Sequence, residues 1–125
     1  MWNEPSKERL DKIPRLYETE EISLKEKHIY MKFFLDASDW FVAEFDGQDM
    51  FFGFTVLNED FEMAEWGYFS LTELKTLNSS GWDIYCVPEQ FWIVRPAKEV
   101  ELICQAQNWH QELYEIKKKG VDLDW

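Results

Sequence analysis

Residues 33–74 hold ten carboxylates and not one Lys or Arg: Asp36, Asp39, Glu44, Asp46, Asp49, Glu59, Asp60, Glu62, Glu65 and Glu73. Carboxylates in such number can do three kinds of chemistry. As a matched pair beside a pocket they perform general acid–base work, and Glu44 with Asp46 or Glu65 is the pairing to consider. As a cluster of oxygen ligands, Asp46 with Asp49 or Glu59 with Asp60 and Glu62 would suit a hard divalent cation. As an exposed surface they project negative potential and steer a basic partner. The cation reading is disfavoured, because metal-assisted phosphoryl chemistry wants a neighbouring base and the segment has none. No metal site or cofactor is expected. Solubility alone is the plain alternative for the surface, but mixed signs would serve it equally well.

The other reactive side chains are sparse. His28 and His110 stand far apart with no nucleophile beside either. Cys86 and Cys104 lie 18 positions apart, without a CxxC or metal-ligand spacing. That leaves a disulfide open, with two buried thiols in a reducing compartment as the expectation. GxSxG, HExxH, phosphate-binding glycine loops and EF-hand loops are absent. Aromatics are plentiful: Trp40, Phe41, Phe51, Phe52, Trp66, Tyr68 and Trp82 sit in or beside strand-like runs. Most should be core, yet alternation turns about half of them away from any one face. Trp40 and Trp66 are the candidate anchors of an aromatic patch rimmed by Asp36, Asp39, Asp46, Asp49, Glu59, Asp60, Glu62 and Glu65.

These residues must be positioned by a chain of 125 residues whose net charge is −12 and whose hydrophobic content is 46%. The imbalance is local: residues 1–32 carry seven acids and seven bases, and residues 75–125 carry eight acids and six bases. The size suits one domain, 1–125, able to bury a core without disulfides. An acidic surface repels phosphates, so direct nucleic-acid binding is not expected. No apolar run is long enough for a membrane span, and the charged start Met1–Arg15 does not read as a signal peptide. The expected setting is the cytoplasm.

Ser6 is a natural N-cap for a short helix to Ile13, stopped by Pro14. His28–Leu35 alternates as a strand, with Ile29, Met31, Phe33 and Leu35 on one side. Asp36–Asp39 reads as a tight turn, Trp40–Phe45 as a strand, and Asp46-Gly47-Gln48-Asp49 as hairpin chemistry. Met50–Leu57 is a strand with both faces covered, and Gly53 within it marks a bulge or close backbone approach. An acidic loop over 58–63 leads to a strand at Glu65–Phe69. Ser70 and Glu73 form a capping box for a short helix ended by Asn78-Ser79-Ser80-Gly81. Trp82–Val87 is a further strand, and Phe91–Val94 a short strand or extended arm. From Ala97 to Lys119, Leu102, Ala106, Trp109, Leu113 and Ile116 form one apolar stripe on a long helix capped by Gly120. The stripe either docks on the chain's own sheet or pairs two copies, giving a monomer or a homodimer. The class is α+β: an antiparallel sheet of about five strands, a short N-terminal helix, a short capped helix and a longer C-terminal helix.

Several runs occur together: Ile13-Pro14-Arg15-Leu16-Tyr17-Glu18-Thr19-Glu20, Ala43-Glu44-Phe45-Asp46-Gly47, Phe51-Phe52-Gly53, and Glu65-Trp66-Gly67-Tyr68-Phe69-Ser70-Leu71-Thr72-Glu73-Leu74. As a series, over roughly residues 6–104, they resemble a bacterial family catalogued as domain of unknown function 2958. That resemblance implies context rather than chemistry: a small accessory protein of plasmids, conjugative elements and phages. The combined expectation is a non-enzymatic acidic module that binds, and in the limiting case inhibits as a DNA mimic, a basic nucleic-acid-handling protein. A small enzyme or ligand-binding protein with a carboxylate pair beside an aromatic pocket is the alternative.

Overall fold

The computed structural model describes residues 1–79 and 81–120; Ser80, from the run expected to end the second helix, lies outside them. The protein is α+β. A five-stranded antiparallel sheet is built from β2 (Met31–Leu35), β3 (Ser38–Phe45), β4 (Met50–Val56), β5 (Glu65–Ser70) and β8 (Tyr85–Cys86), in the order β5-β4-β3-β2-β8. The first four form a meander, as expected from alternation and short polar turns. Two small ladders flank it. β1 (His28–Ile29) pairs with β9 (Arg95–Pro96), and β6 (Asn78–Ser79) pairs with β7 (Trp82–Asp83). The expected strand over 28–35 is therefore two, broken at Tyr30. That break moves Ile29 to the opposite face from Met31 and Phe33. Trp82–Val87 is likewise interrupted at Ile84, whose side chain is buried.

Both faces of the sheet are covered, which accounts for the density of aromatic residues. On one face Phe33, Trp40, Val42, Phe45, Phe51 and Phe69 meet Leu10 of α1 (Lys7–Asp11), the following Ile13, and Leu74 of α2 (Leu71–Thr76). On the other, Phe41, Ala43, Phe54 and Val56 meet Trp92, Ala97, Val100, Ile103 and Ala106. Gly53 is where the backbones come closest: a Cβ there would lie 1.7 Å from the Phe41 carbonyl oxygen. Beside it the β3–β4 register shifts between Val42 and Glu44, so Ala43 is an extra residue. The close approach expected at Gly53 is present, and the bulge lies across from it on β3 rather than in β4 itself.

The N-terminal caps of α1 and α2 form as their sequences specify, whereas α1 stops at Asp11 rather than Ile13 and α2 at Thr76, with Asn78–Ser79 in strand β6. Ser6 accepts a hydrogen bond from the Arg9 N–H, and Ser70 accepts one from the Glu73 N–H at 3.0 Å. The Ser70 hydroxyl in turn donates to the Glu73 carboxylate at 3.1 Å.

The continuous helix expected over Ala97–Lys119 is a correction. The segment is a 3-10 turn (Ala97–Glu99), α3 (Glu101–Gln107) and α4 (His110–Lys119). Asn108 takes a left-handed conformation at φ 57°, the Trp109 N–H reaches back to the Cys104 carbonyl, and the Asn108 N–H to that of Gln105. This is a Schellman closure, for which Asn is the usual substitute for Gly. The apolar stripe is broken with it. Ala106 is buried and Leu102 and Trp109 pack on the second core, whereas Leu113 and Ile116 on α4 are half-buried. Val100 and Ile103 do most of the docking instead. Gly120 caps α4 as expected, at φ 64°.

Candidate interaction site

The meander distributes the acids between two ends of the sheet. Asp46 and Asp49 lie in the β3–β4 turn at one end. Asp36, in the β2–β3 turn, and Glu59, Asp60, Glu62 and Glu65, in or beside the β4–β5 loop, lie at the other. The eight acids expected to act together thus do not share one surface.

Several of them serve the fold. One Asp46 oxygen accepts from the N–H groups of Gln48, Asp49 and Met50. Slight burial pushes this carboxyl up, but those hydrogen bonds and the Arg15 charge outweigh it and hold it below its ordinary value. Asp49 accepts from both the N–H and hydroxyl of Thr72 at 2.8 Å, capping α2 from outside. Asp39 pairs with Lys32 at 3.2 Å, a base contributed from just outside the base-free segment. Burial raises the Asp39 carboxyl and Glu59 adds to this, with Lys32 opposing. Glu44 is 4% exposed. It accepts from the N–H groups of Tyr17 and Thr19 and from the Thr19 hydroxyl, which in turn accepts from Lys27 at 2.8 Å. Glu44 faces Phe52 across the ladder, while Glu65 is paired with Thr55 near the far end of β4. The register therefore separates Glu44 from Glu65, one of the two partners considered for it in acid–base work, while one oxygen of the other, Asp46, is engaged in the β3–β4 turn.

Asp36, Glu59, Asp60, Glu62 and Glu65 are exposed and form no ion pair among the described residues. The turn and the loop that carry them are fastened together. The Glu59 N–H donates to the Ala37 carbonyl at 3.0 Å, and the Asn58 N–H to the Ser38 hydroxyl at 2.9 Å. Asn58 and Glu59 both adopt left-handed backbone, which bends the loop back over the turn. Beside Asp36 opens a cleft of about 770 Å³, lined by Met1, Phe34, Leu35, Trp82 and Tyr85 together with the acids Asp36 and Asp83. Phe34 and Tyr85 meet edge to face at 5.4 Å, and Trp82 is 71% exposed.

The expected anchors are a second correction. Trp40 is 7% exposed, in the first core. Trp66 is half-buried, stacked on Phe52 at 6.0 Å, with its indole N–H donated to Gln107 of α3 at 3.0 Å. In a sheet covered on both faces alternation sends both side chains into packing, Trp40 wholly and Trp66 in part. Among the described tryptophans, Trp82 is the exposed one. It follows Ser80-Gly81 in the sequence and precedes an acid, Asp83. A Trp at the rim of a turn rather than in mid-strand was the available signal.

Among the described residues no group of three or more His, Cys, Asp or Glu is placed to hold a metal ion. Both thiols are free and buried, and burial pushes each up to about 11, with Arg9 opposing this at Cys86. No helix of the described residues is long and apolar enough to cross a membrane. No protein-family model, no curated protein and no solved structure matches this chain.

Proposed function

We propose that this chain is a non-enzymatic interaction module, acting in the cytoplasm as an accessory protein of a bacterial mobile element, in keeping with the sequence resemblance. Its partner is a basic, nucleic-acid-handling protein, and its binding surface is the acidic end of the sheet together with the adjoining aromatic cleft. One observation carries the reading. Five exposed carboxylates, Asp36, Glu59, Asp60, Glu62 and Glu65, with no ion pair among the described residues, lie on two segments tied to each other, beside an open apolar cleft. Unpaired charge gives attraction and orientation, and exposed aromatic surface gives contact energy. In the limiting case the carboxylates occupy the place of DNA phosphates on the partner.

The test is capture from a bacterial lysate by the wild-type chain and by a Glu59→Gln, Asp60→Asn, Glu62→Gln variant. The expected partner binds nucleic acid, is released by salt and by competing duplex DNA, and is lost by the variant. Neutralising Glu8, Glu20 and Glu21, which lie elsewhere in the chain, should leave capture intact. Equal capture by wild type and the loop variant overturns the proposal.

A further inference from the structure

We infer that the aromatic cleft receives an arginine side chain from the partner's basic segment, an inference that rests on the interaction reading and names what the surface recognises. Phe34, Trp82 and Tyr85 come from three different strands, β2, β7 and β8, and converge on one opening. Aromatic faces carry negative potential and attract cations. Carboxylates line the cleft from two directions, Asp36 from the β2–β3 turn and Asp83 from β7. A cleft meant for an apolar side chain has no use for two acids in its lining, whereas a guanidinium uses both the rings and the acids. It is planar, weakly hydrated and able to stack while donating to carboxylates. Asp83 already meets a cation, the Met1 ammonium at 3.3 Å. The chain also uses the same chemistry internally: Lys32 lies 5.7 Å from the Phe34 ring centre and 5.3 Å from that of Phe41 while pairing with Asp39. Arg95 stands 4.5 Å over the Trp92 ring. Asp36 lines the cleft and the next residue, Ala37, is hydrogen-bonded to Glu59 of the acidic loop, so a basic segment lying along that loop can place one arginine in it.

The probe is a short acetylated and amidated peptide with one central arginine, compared with the same peptide carrying neutral citrulline. Binding is followed by the indole N–H resonances, that of Trp82 being identified by its loss in Trp82→Phe. The arginine peptide should shift the Trp82 resonance saturably, and the citrulline peptide should bind about tenfold more weakly. Asp36→Asn with Asp83→Asn should weaken arginine binding by a similar factor. Because neither acid is buried, unfolding midpoints should not move, which separates lost recognition from lost fold. Equal binding of the two peptides, or no Trp82 response, overturns the inference. If the peptide fails while loop-dependent capture of a basic protein persists, the arginine pocket falls and the interaction reading stands. If the peptide binds while capture is indifferent to the loop acids, the reverse holds.

Discussion

At the scale of single residues, the acids of this chain divide by what their oxygens touch. Glu44 is the clearest structural case. Its carboxylate satisfies two backbone N–H groups of the loop after α1, and Thr19 links it to Lys27. Replacing Glu44 by Ala leaves those donors facing a low-dielectric space, and should cost about 2–3 kcal/mol in chemical denaturation. Amide exchange should quicken first at Tyr17 and Thr19. Asp46 sets a pH dependence. Its carboxyl is lowered in the folded state, so it binds protons less readily there than in the unfolded chain. Its contribution is present above its unfolded value and lost as the pH falls through the folded one. Thermal melts of Asp46→Asn and wild type should therefore differ at neutral pH and converge in strong acid. Gly53→Ala sets the backbone of β4 against the Phe41 carbonyl, and at a 1.7 Å approach no side-chain adjustment relieves it. About 3 kcal/mol or more of stability should go, read from the denaturation midpoint.

At the scale of elements, the C-terminal segment shows how a local signal is overridden by a smaller one. Positions 102, 106, 109, 113 and 116 keep helical spacing straight through Asn108, yet the Schellman closure there redirects the chain. The burden of packing falls on Ile103, fully buried, rather than on the α4 half of the stripe. Ile103→Ala should therefore cost about 3 kcal/mol and Leu113→Ala about 1 kcal/mol, compared by denaturant unfolding. Asn108→Gly should be nearly neutral and Asn108→Val clearly destabilising, because only the β-branched residue resists positive φ. The meander, its turns, the Ser6 cap and the Ser70–Glu73 pairing were legible, since each depends on a few neighbouring residues. The break at Asn108 was legible in principle from the residue type. The fate of Trp40 and Trp66 was only half legible: covering of both faces was expected for Met50–Leu57 from its aromatic density, but alternation alone does not extend it to the neighbouring strands. The division of the acids was not legible, because it follows from where Lys32, Arg15, Thr72 and the Tyr17–Thr19 backbone come to lie.

At the scale of the whole molecule, charge and shape combine into a polarity. One end of the sheet is tied up by Asp46 and Asp49 in turn and helix capping, with Arg15 close to Asp46. The other presents exposed carboxylates, without an ion pair among the described residues, beside the aromatic cleft. Association with a basic partner should slow as ionic strength rises, and the slope should shrink when Glu59, Asp60 and Glu62 are neutralised. Dissociation rates should respond more to Trp82→Ala, since contact rather than steering holds the complex once formed. Stopped-flow association at several salt concentrations separates the two.

The ladder of His28–Ile29 with Arg95–Pro96 is only two residues long on each side, yet the C-terminal layer is fastened through it. Its reinforcements are the Trp92 indole donating to the Ile29 carbonyl at 2.9 Å and the Ala97 N–H donating to that of Lys27 at 2.8 Å. Release of α3 and α4 as a unit with the five-stranded ladder intact would break this clasp, the Trp66–Gln107 hydrogen bond and the packing of Val100 and Ile103, and would be a partial unfolding with its own free energy. The two thiols sit on either side of that event, Cys104 on the layer that lifts and Cys86 paired to Phe33 within the sheet. Cys104 should thus be alkylated through openings smaller than global unfolding, and Cys86 close to the global limit. The order in which the thiols disappear would then report the order in which the molecule comes apart.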